Sequence, residues 1–285
     1  MTSMDRYVVV GNPVEHSQSP FIHAEFARQT GEAIEYGRLL CPLADFSAAL
    51  RALAAGGTKG CNVTVPFKLQ AFELAPRHSA RAELAQAANT LRFDPSGWLA
   101  DNTDGAGLVR DIEQNAGLTL AGKRVLLIGA GGAAAGVLGP LLEASPAEVV
   151  VANRTLENAR ALIERHRGAI AAAGENVTLH ACPLSRCGES YDVIINASAS
   201  SLKGAPIPID AQVLAPGALA LDLMYGPAAR GFVDWASANG ARGRDGLGML
   251  VEQAAAAFEL WRGVRPDTAP VLAALRKRLA APTAP

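Results

Sequence analysis

No apolar run in the 285 residues reaches the roughly 20 that a membrane-crossing helix needs. No basic stretch leads into an apolar one near Met1, as it does in a secretory signal. The expectation is a soluble, cytoplasmic protein. Surplus charge is lacking too: 26 Lys and Arg stand against 27 Asp and Glu, a formal net charge of −1. Nothing in that balance asks for nucleic acid or an anionic membrane as partner. The four cysteines, Cys41, Cys61, Cys182 and Cys187, form no CxxC, and only Cys182 and Cys187 lie near one another. No histidine cluster accompanies them, so no metal site is expected, and they read as buried free thiols in a reducing compartment.

What the chain does have is length, apolar content and alternation. Its size favours two domains, and a hydrophobic fraction of 49% can fill two cores. Strands are expected at Tyr7–Val10, Ile34–Leu40 and Gly60–Val65, and helices at Phe21–Thr30 behind Pro20, Ala44–Ala55, Lys68–Leu74 and Ser79–Ala87. Thr90–Phe93 and Trp98–Ala100 read as a hairpin around Pro95-Ser96-Gly97, and Gly105–Asn115 as a helix leading out of the first domain. Further strands fit Val125–Ile128, Val149–Ala152, Val177–Ala181, Val193–Asn196 and Ala218–Leu223, with helices at Leu247–Trp261 and Pro270–Leu279. The Ala/Pro-rich last five residues are expected to fray.

The most informative pattern is a glycine turn followed by a second strand. Gly129-Ala130-Gly131-Gly132-Ala133-Ala134 comes straight after the apolar Val125–Ile128 and opens a small-residue helix. Ala134 takes the third glycine position of a dinucleotide fingerprint. Asn153-Arg154-Thr155 then follows Val149–Ala152, where such folds read the adenosine ribose. An NAD site places a carboxylate there; a guanidinium clasps a 2′-phosphate instead. NADP(H) is therefore the expected cofactor. The competing readings are a packing turn without ligand and a solvated surface arginine.

Three other segments carry polar groups at element ends. In Gly11–Pro20, Ser17 and Ser19 precede a helix, where two hydroxyls suit a small carboxylate, although Ser19 could simply cap that helix. In Asn62–Lys68 a lysine stands just past a strand end, which usually means solvated surface. In Asn102–Gly105, Asp104 stands before a helix, where an N-cap is the ordinary role.

Taken in order, GNPVEHSQSP, NVTVPFK, AANTL, DNTDG, GAGGAA, ANRT and GLGMLVEQAA resemble the shikimate dehydrogenase family across nearly the whole chain. The resemblance implies an α/β fold of two domains. One is an α/β substrate-binding domain from both chain ends, 1–105 plus 246–285. The other is a Rossmann-like NADP-binding domain, 106–245. It implies reversible NADPH-dependent reduction of 3-dehydroshikimate to shikimate, in chorismate and aromatic amino-acid biosynthesis. Carried over by motif, Lys68 and Asp104 are the catalytic pair; Ser17, Ser19 and Tyr225 meet the substrate carboxylate; Thr64, Asn89 and Gln253 meet the ring hydroxyls. Gly129, Ala130, Gly131, Gly132 and Ala133, with Asn153, Arg154, Thr155, Leu223 and Gly246, are the cofactor contacts, and no metal is implied. The partner is the small-molecule substrate, with monomer and homodimer both open.

Two positions depart from the family pattern. Asn196-Ala197-Ser198-Ala199-Ser200 replaces a more frequent threonine-bearing form, and Asn158 stands where some relatives carry a second phosphate-clamping arginine. The chemistry fits the residue types: a ketone receiving hydride becomes an alkoxide, and a lysine ammonium supplies a proton or a charge at once. A quinate/shikimate dehydrogenase of relaxed cofactor use and a non-catalytic NADP-binding sensor remain the alternatives. Arg154 argues against the first, and joint retention of Lys68, Asp104, Asn89 and Gln253 against the second.

Overall fold

The computed structural model describes residues 4–168, 177–198, 200–201 and 209–280, so Ala199 and the last five residues fall outside the description. The chain divides into two compact units, Met1–Gly107 with Val251–Pro285, and Leu108–Leu250.

The first unit is built on β1 (Asp5–Gly11), α1 (Ser19–Thr30), β2 (Ile34–Leu40), α2 (Phe46–Ala55), β3 (Gly60–Val63), α3 (Lys68–Leu74), β4 (Arg77–His78), α4 (Ala80–Ala85), β5 (Thr90–Arg92) and β6 (Leu99–Asp101). Its six strands run in the order β2-β1-β3-β5-β6-β4. β1 is parallel to β2 and β3, while β5 is antiparallel to both β3 and β6. Val10, Cys61, Val63 and Leu91 of the strands pack with Phe46, Leu50 and Ala71 of the helices and with Phe67 just before α3. β3 stops at Val63, two residues short of the expectation, because the Thr64 carbonyl turns to accept the Phe67 amide at 3.0 Å. Pro66 inside that turn has no N–H to offer a neighbouring strand.

The chain end returns to this sheet. Trp261 stacks on Tyr7 at 4.5 Å and donates its indole N–H to the Leu91 carbonyl at 3.0 Å. Arg262 pairs with Asp5 and Glu32, both at 2.5 Å.

The second unit takes over within α5 (Asp104–Arg110), whose first residues belong to the first unit, and then forms a π-helical turn, Asp111–Asn115. It continues through β7 (Arg124–Ile128), α6 (Gly132–Glu143), β8 (Glu148–Asn153), α7 (Leu156–Arg165), β9 (Thr178–Pro183), β10 (Tyr191–Asn196), β11 (Leu214–Asp222), α8 (Pro227–Ala238) and β12 (Arg242–Arg244). α9 (Leu247–Arg262) and α10 (Ala269–Ala280) complete the chain. All six strands are parallel, in the order β12-β11-β10-β7-β8-β9. With β7 counted first, this is the doubly wound dinucleotide-binding order, which reverses between β7 and β10. α7, α8, β4 and β12 add to the elements expected from sequence. Among the described residues no helix is long and apolar enough to cross a membrane, and no cluster of metal-ligating side chains occurs.

The π turn buries Asp111 completely. Arg244 meets it with two parallel bonds, Nε to Oδ2 at 2.8 Å and Nη2 to Oδ1 at 2.6 Å, and Asn115 adds a third at 3.0 Å. Removing one partner of a buried pair strands the other charge away from water. Asp111→Ala should therefore lower the stability of the chain by about 3–5 kcal/mol in urea unfolding. A loss under about 1 kcal/mol would mean that the pair behaves like an exposed one.

Candidate active site

In the first unit, the strand ends bring polar groups together. The Val63 amide bonds the Asn89 carbonyl at 2.8 Å, and the Ala88 amide bonds the Lys68 carbonyl at 2.8 Å, so the start of α3 is tied to the residue before β5. Asp104 begins α5. Its amide is already met by the Asn102 side chain at 3.1 Å, so its carboxylate faces other partners. Lys68 Nζ lies 2.5 Å from Asp104 Oδ2, and Asn89 Nδ2 donates to Asp104 Oδ1 at 2.8 Å. The Asp104 side chain is 3% exposed and that of Lys68 21%, so the ammonium is the member open to solvent.

Asn89 is the centre of this arrangement. Its amide nitrogen faces three acceptors: Asp104 Oδ1, Thr103 Oγ1 at 2.9 Å and Gln253 Oε1 at 2.9 Å. An amide has two hydrogens, so the three share them. Its oxygen receives the Thr103 backbone N–H at 2.9 Å, and because that group can only donate, the orientation of the amide is decided.

A second set adjoins the first through Asn62. Asn62 donates to the Asn89 carbonyl at 3.2 Å and to Thr90 Oγ1 at 3.0 Å, and accepts from the Tyr36 phenol at 2.6 Å. Burial drives the pKa of that phenol well up. Ser17 Oγ donates to Ser19 Oγ at 3.1 Å, and Arg38 grips the Ser17 carbonyl. Gln18, not Ser19, occupies the N-cap of α1, and no side chain caps it. The capping role allowed for Ser19 is thus not the one it takes. Thr64 lies in the turn after β3, its amide bonded to the Val10 carbonyl at 2.9 Å.

Ser17, Ser19, Thr64, Lys68, Asn89, Asp104 and Gln253 therefore all lie in the first unit, whereas Tyr225 lies after β11 in the second. Sequence reasoning passed over Tyr36, Asn62, Thr90, Thr103 and His23. An asparagine inside the otherwise apolar β3 was the available signal for Asn62.

In the second unit, the glycine turn leaves β7 with Gly129 at φ +111°, a conformation that favours glycine. Gly131 and Gly132 are different. Neither has positive φ, and a Cβ on either would meet no protein atom within 4 Å. Packing and backbone conformation leave their identity unexplained, while close approach of a pyrophosphate to the start of α6 explains it. No side chain caps α6. Ala134 is buried where α6 meets the sheet. A dinucleotide thus fits the residues present.

Asn153 ends β8 and holds the turn by donating to the Thr155 carbonyl at 2.8 Å. Arg154 and Thr155 are exposed, and the Thr155 hydroxyl makes no cap to α7. Gly246 carries a structural demand of its own: a Cβ would sit 2.4 Å from the Leu223 carbonyl oxygen. Asn196 donates to buried Asp222 at 2.9 Å and accepts from the Ser198 hydroxyl at 2.7 Å. Burial pushes the Asp222 carboxyl up.

Three family models match the chain: the shikimate dehydrogenase substrate binding domain over residues 9–91, shikimate / quinate 5-dehydrogenase over 111–204, and the shikimate 5'-dehydrogenase C-terminal domain over 246–276. A shikimate dehydrogenase (NADP(+)) of Methylibium petroleiphilum is 63% identical over 95% of this chain and 94% of its own. The chain belongs to the shikimate dehydrogenase family.

Two solved shikimate dehydrogenases share the fold. One, in complex with NADP+, has a TM-score of 0.86 at 28% identity, covering 98% of this chain and 96% of its own. The other, from Thermus thermophilus and in complex with shikimate, has a TM-score of 0.83 at 32% identity, covering 98% and 100%.

Within this family member, His23 backs the polar set. It is fully buried and stacks on Tyr36 at 4.2 Å, and neither ring nitrogen has a hydrogen-bond partner among the described residues. Desolvation lowers its pKa from 6.5 to about 3. The unfolded chain therefore takes up this proton first. The stability this site contributes is complete above pH 6.5 and is lost as pH falls toward 3. His23→Phe, which keeps the stack, should flatten that acid limb in urea midpoints measured against pH. The remaining slope includes His166, also lowered by burial. An acid limb as steep as that of the parent chain would contradict the account.

Proposed function

We propose that the chain catalyses the reversible NADPH-dependent reduction of 3-dehydroshikimate to shikimate, and so serves chorismate and aromatic amino-acid biosynthesis in the cytoplasm. The observation that carries the reading is the Lys68–Asp104 pair at 2.5 Å, braced by Asn89, in a chain of this family. A sensor that only bound the cofactor would not need a proton-transfer pair.

The cofactor is NADP(H). Gly129 to Ala133 and the start of α6 receive its pyrophosphate; Asn153, Arg154 and Thr155 hold its adenosine 2′-phosphate; Leu223 and Gly246 face its other end. When bound it supplies the hydride. The side chains of this chain do the rest. Ser17, Ser19 and Tyr225 anchor the substrate carboxylate, and Thr64, Asn89 and Gln253 orient the ring hydroxyls. Lys68 stabilises the oxygen as charge develops and delivers its proton; Asp104 aims the ammonium. In oxidation the pair takes the proton back.

Lys68→Ala should lower turnover by roughly 10²–10⁴-fold with a much smaller change in the Michaelis constant for shikimate. Near-normal turnover in that variant would remove the catalytic assignment. The cofactor reading has its own test. Arg154→Ala should weaken NADP binding by at least ~1.4 kcal/mol, about tenfold, and leave use of NAD almost unchanged. Equal affinity for NADP with and without Arg154 would defeat it. Because Asn158 adds no second cation, the preference should be smaller than in relatives with arginine there. Rates with shikimate and quinate, each with NADP and NAD, separate this reading from a quinate-using enzyme.

A further inference from the structure

The segment between β12 and α9 carries Gly246, and one carboxylate holds both of its ends. β12 closes at Arg244, which is registered with Leu221 of β11. α9 begins at Leu247. Between them, the Gly246 amide donates to the Met224 carbonyl at 2.8 Å, and the Gly246 carbonyl accepts the Leu250 amide at 2.9 Å. Arg244 is tied from outside the segment, by its two parallel bonds to Asp111 at 2.8 and 2.6 Å. Two residues beyond Gly246, Gly248 rests against the same carboxylate. A Cβ there would overlap Asp111 Oδ1 and stand 2.8 Å from Arg244 Nη2. Gly248 has no positive φ, so close approach and not backbone conformation is what requires glycine. All of these residues belong to the second unit.

We infer that Asp111 is a positioning residue for hydride transfer: by gripping Arg244 and bearing on Gly248, its carboxylate fixes the backbone of Gly246 against the nicotinamide. This rests on the cofactor reading above, in which Gly246 faces that end of NADP(H). A guanidinium held by two parallel bonds cannot pivot as a singly bonded ammonium can, so the end of β12 follows Asp111. Asp111 is itself held fast. Its side chain is completely buried, Asn115 donates to Oδ1 at 3.0 Å, and its carbonyl accepts the Ala116 amide at 2.9 Å. On the opposite side the Gly248 backbone leaves no slack, since a carboxylate moving toward α9 meets it at once. Gly246 thus sits midway between two points set by one side chain. Such placement matters for the rate because a shift of about 1 Å between reacting groups costs on the order of 10²-fold.

The test compares the full chain with Arg244→Lys, Gly248→Ala and Asp111→Asn, each assayed below its own unfolding transition. Arg244→Lys keeps the charge and loses the paired bonds, whereas Gly248→Ala keeps the pair and displaces it. Turnover is measured with NADPH and 3-dehydroshikimate, and again with NADPH deuterated at the transferred hydrogen. We expect kcat to fall about 10–100-fold in each variant, with the Michaelis constant for 3-dehydroshikimate changed less than about threefold. The deuterium isotope effect should rise, because hydride transfer then becomes slow relative to product release. Adenosine 2′,5′-bisphosphate, which lacks the nicotinamide, should bind within about twofold of its affinity for the parent chain.

Folded variants with the turnover and isotope effect of the parent chain overturn the inference. So does a loss of bisphosphate binding in step with kcat, which marks a disturbance of the whole unit. If Asp111→Asn does not fold, the other two variants decide, because they alter the clamp from opposite sides. A parent chain that does not oxidise NADPH with 3-dehydroshikimate refutes the reading of the reaction instead.

Discussion

A carboxylate taken out of water must find a cation or several donors, and this chain meets that constraint repeatedly. Asp101, Asp104, Asp111, Asp222 and Glu252 are all nearly or completely buried. Asp101 is met by Arg81 and Ser79, Asp111 by Arg244, and Glu252 by Arg265 and Thr268. Asp222 pairs with no cation among the described residues. It is held by Asn196, Ser201 and the Met224 amide, and its raised pKa records the cost of that neutral solution. Several of these contacts join segments well separated in sequence.

Asp104 is where that constraint becomes chemistry. Its lysine partner is the more exposed member, so the same bond that satisfies a buried charge also aims an ammonium outward. Asn89 makes the geometry stiff. With every side of its amide engaged, a displacement of Thr103, Asp104 or Gln253 disturbs the others. The network runs on through Thr90 and Asn62 to Tyr36. The apolar side of Tyr36 rests on His23, which stays neutral because it is desolvated. Polar precision on one face thus depends on dry packing on the other.

The second unit solves a different problem with less machinery. Its parallel sheet is apolar along its length, and polar groups gather where strands end: Asn153 after β8, Asn196 after β10, Asp222 after β11. Glycine has two meanings within this one region. Gly246 is required by the Leu223 backbone, whereas Gly131 and Gly132 face open space. Only the second kind points to a ligand, and a linear glycine pattern does not separate them.

The sequence alone determined the alternation of elements, the strand–turn–helix of the nucleotide unit and its arginine, because these rest on periodicity and on contacts a few residues apart. Strong apolar runs such as Val125–Ile128 and Val149–Ala152 could hardly be anything else in that setting. Weak or short elements were not legible: β4 has two residues and β12 three, and such pieces form only where a neighbouring strand offers its edge. Nor could sequence decide what each polar residue does. Ser19 stands where a cap belongs, and Asp104 at a helix start, yet neither serves as one: Ser19 lies past the N-cap and meets the Ser17 hydroxyl, and Lys68 reaches Asp104 from α3. Tertiary structure settles such roles because a short polar side chain takes its strongest available partner, and that partner exists only once distant segments have packed.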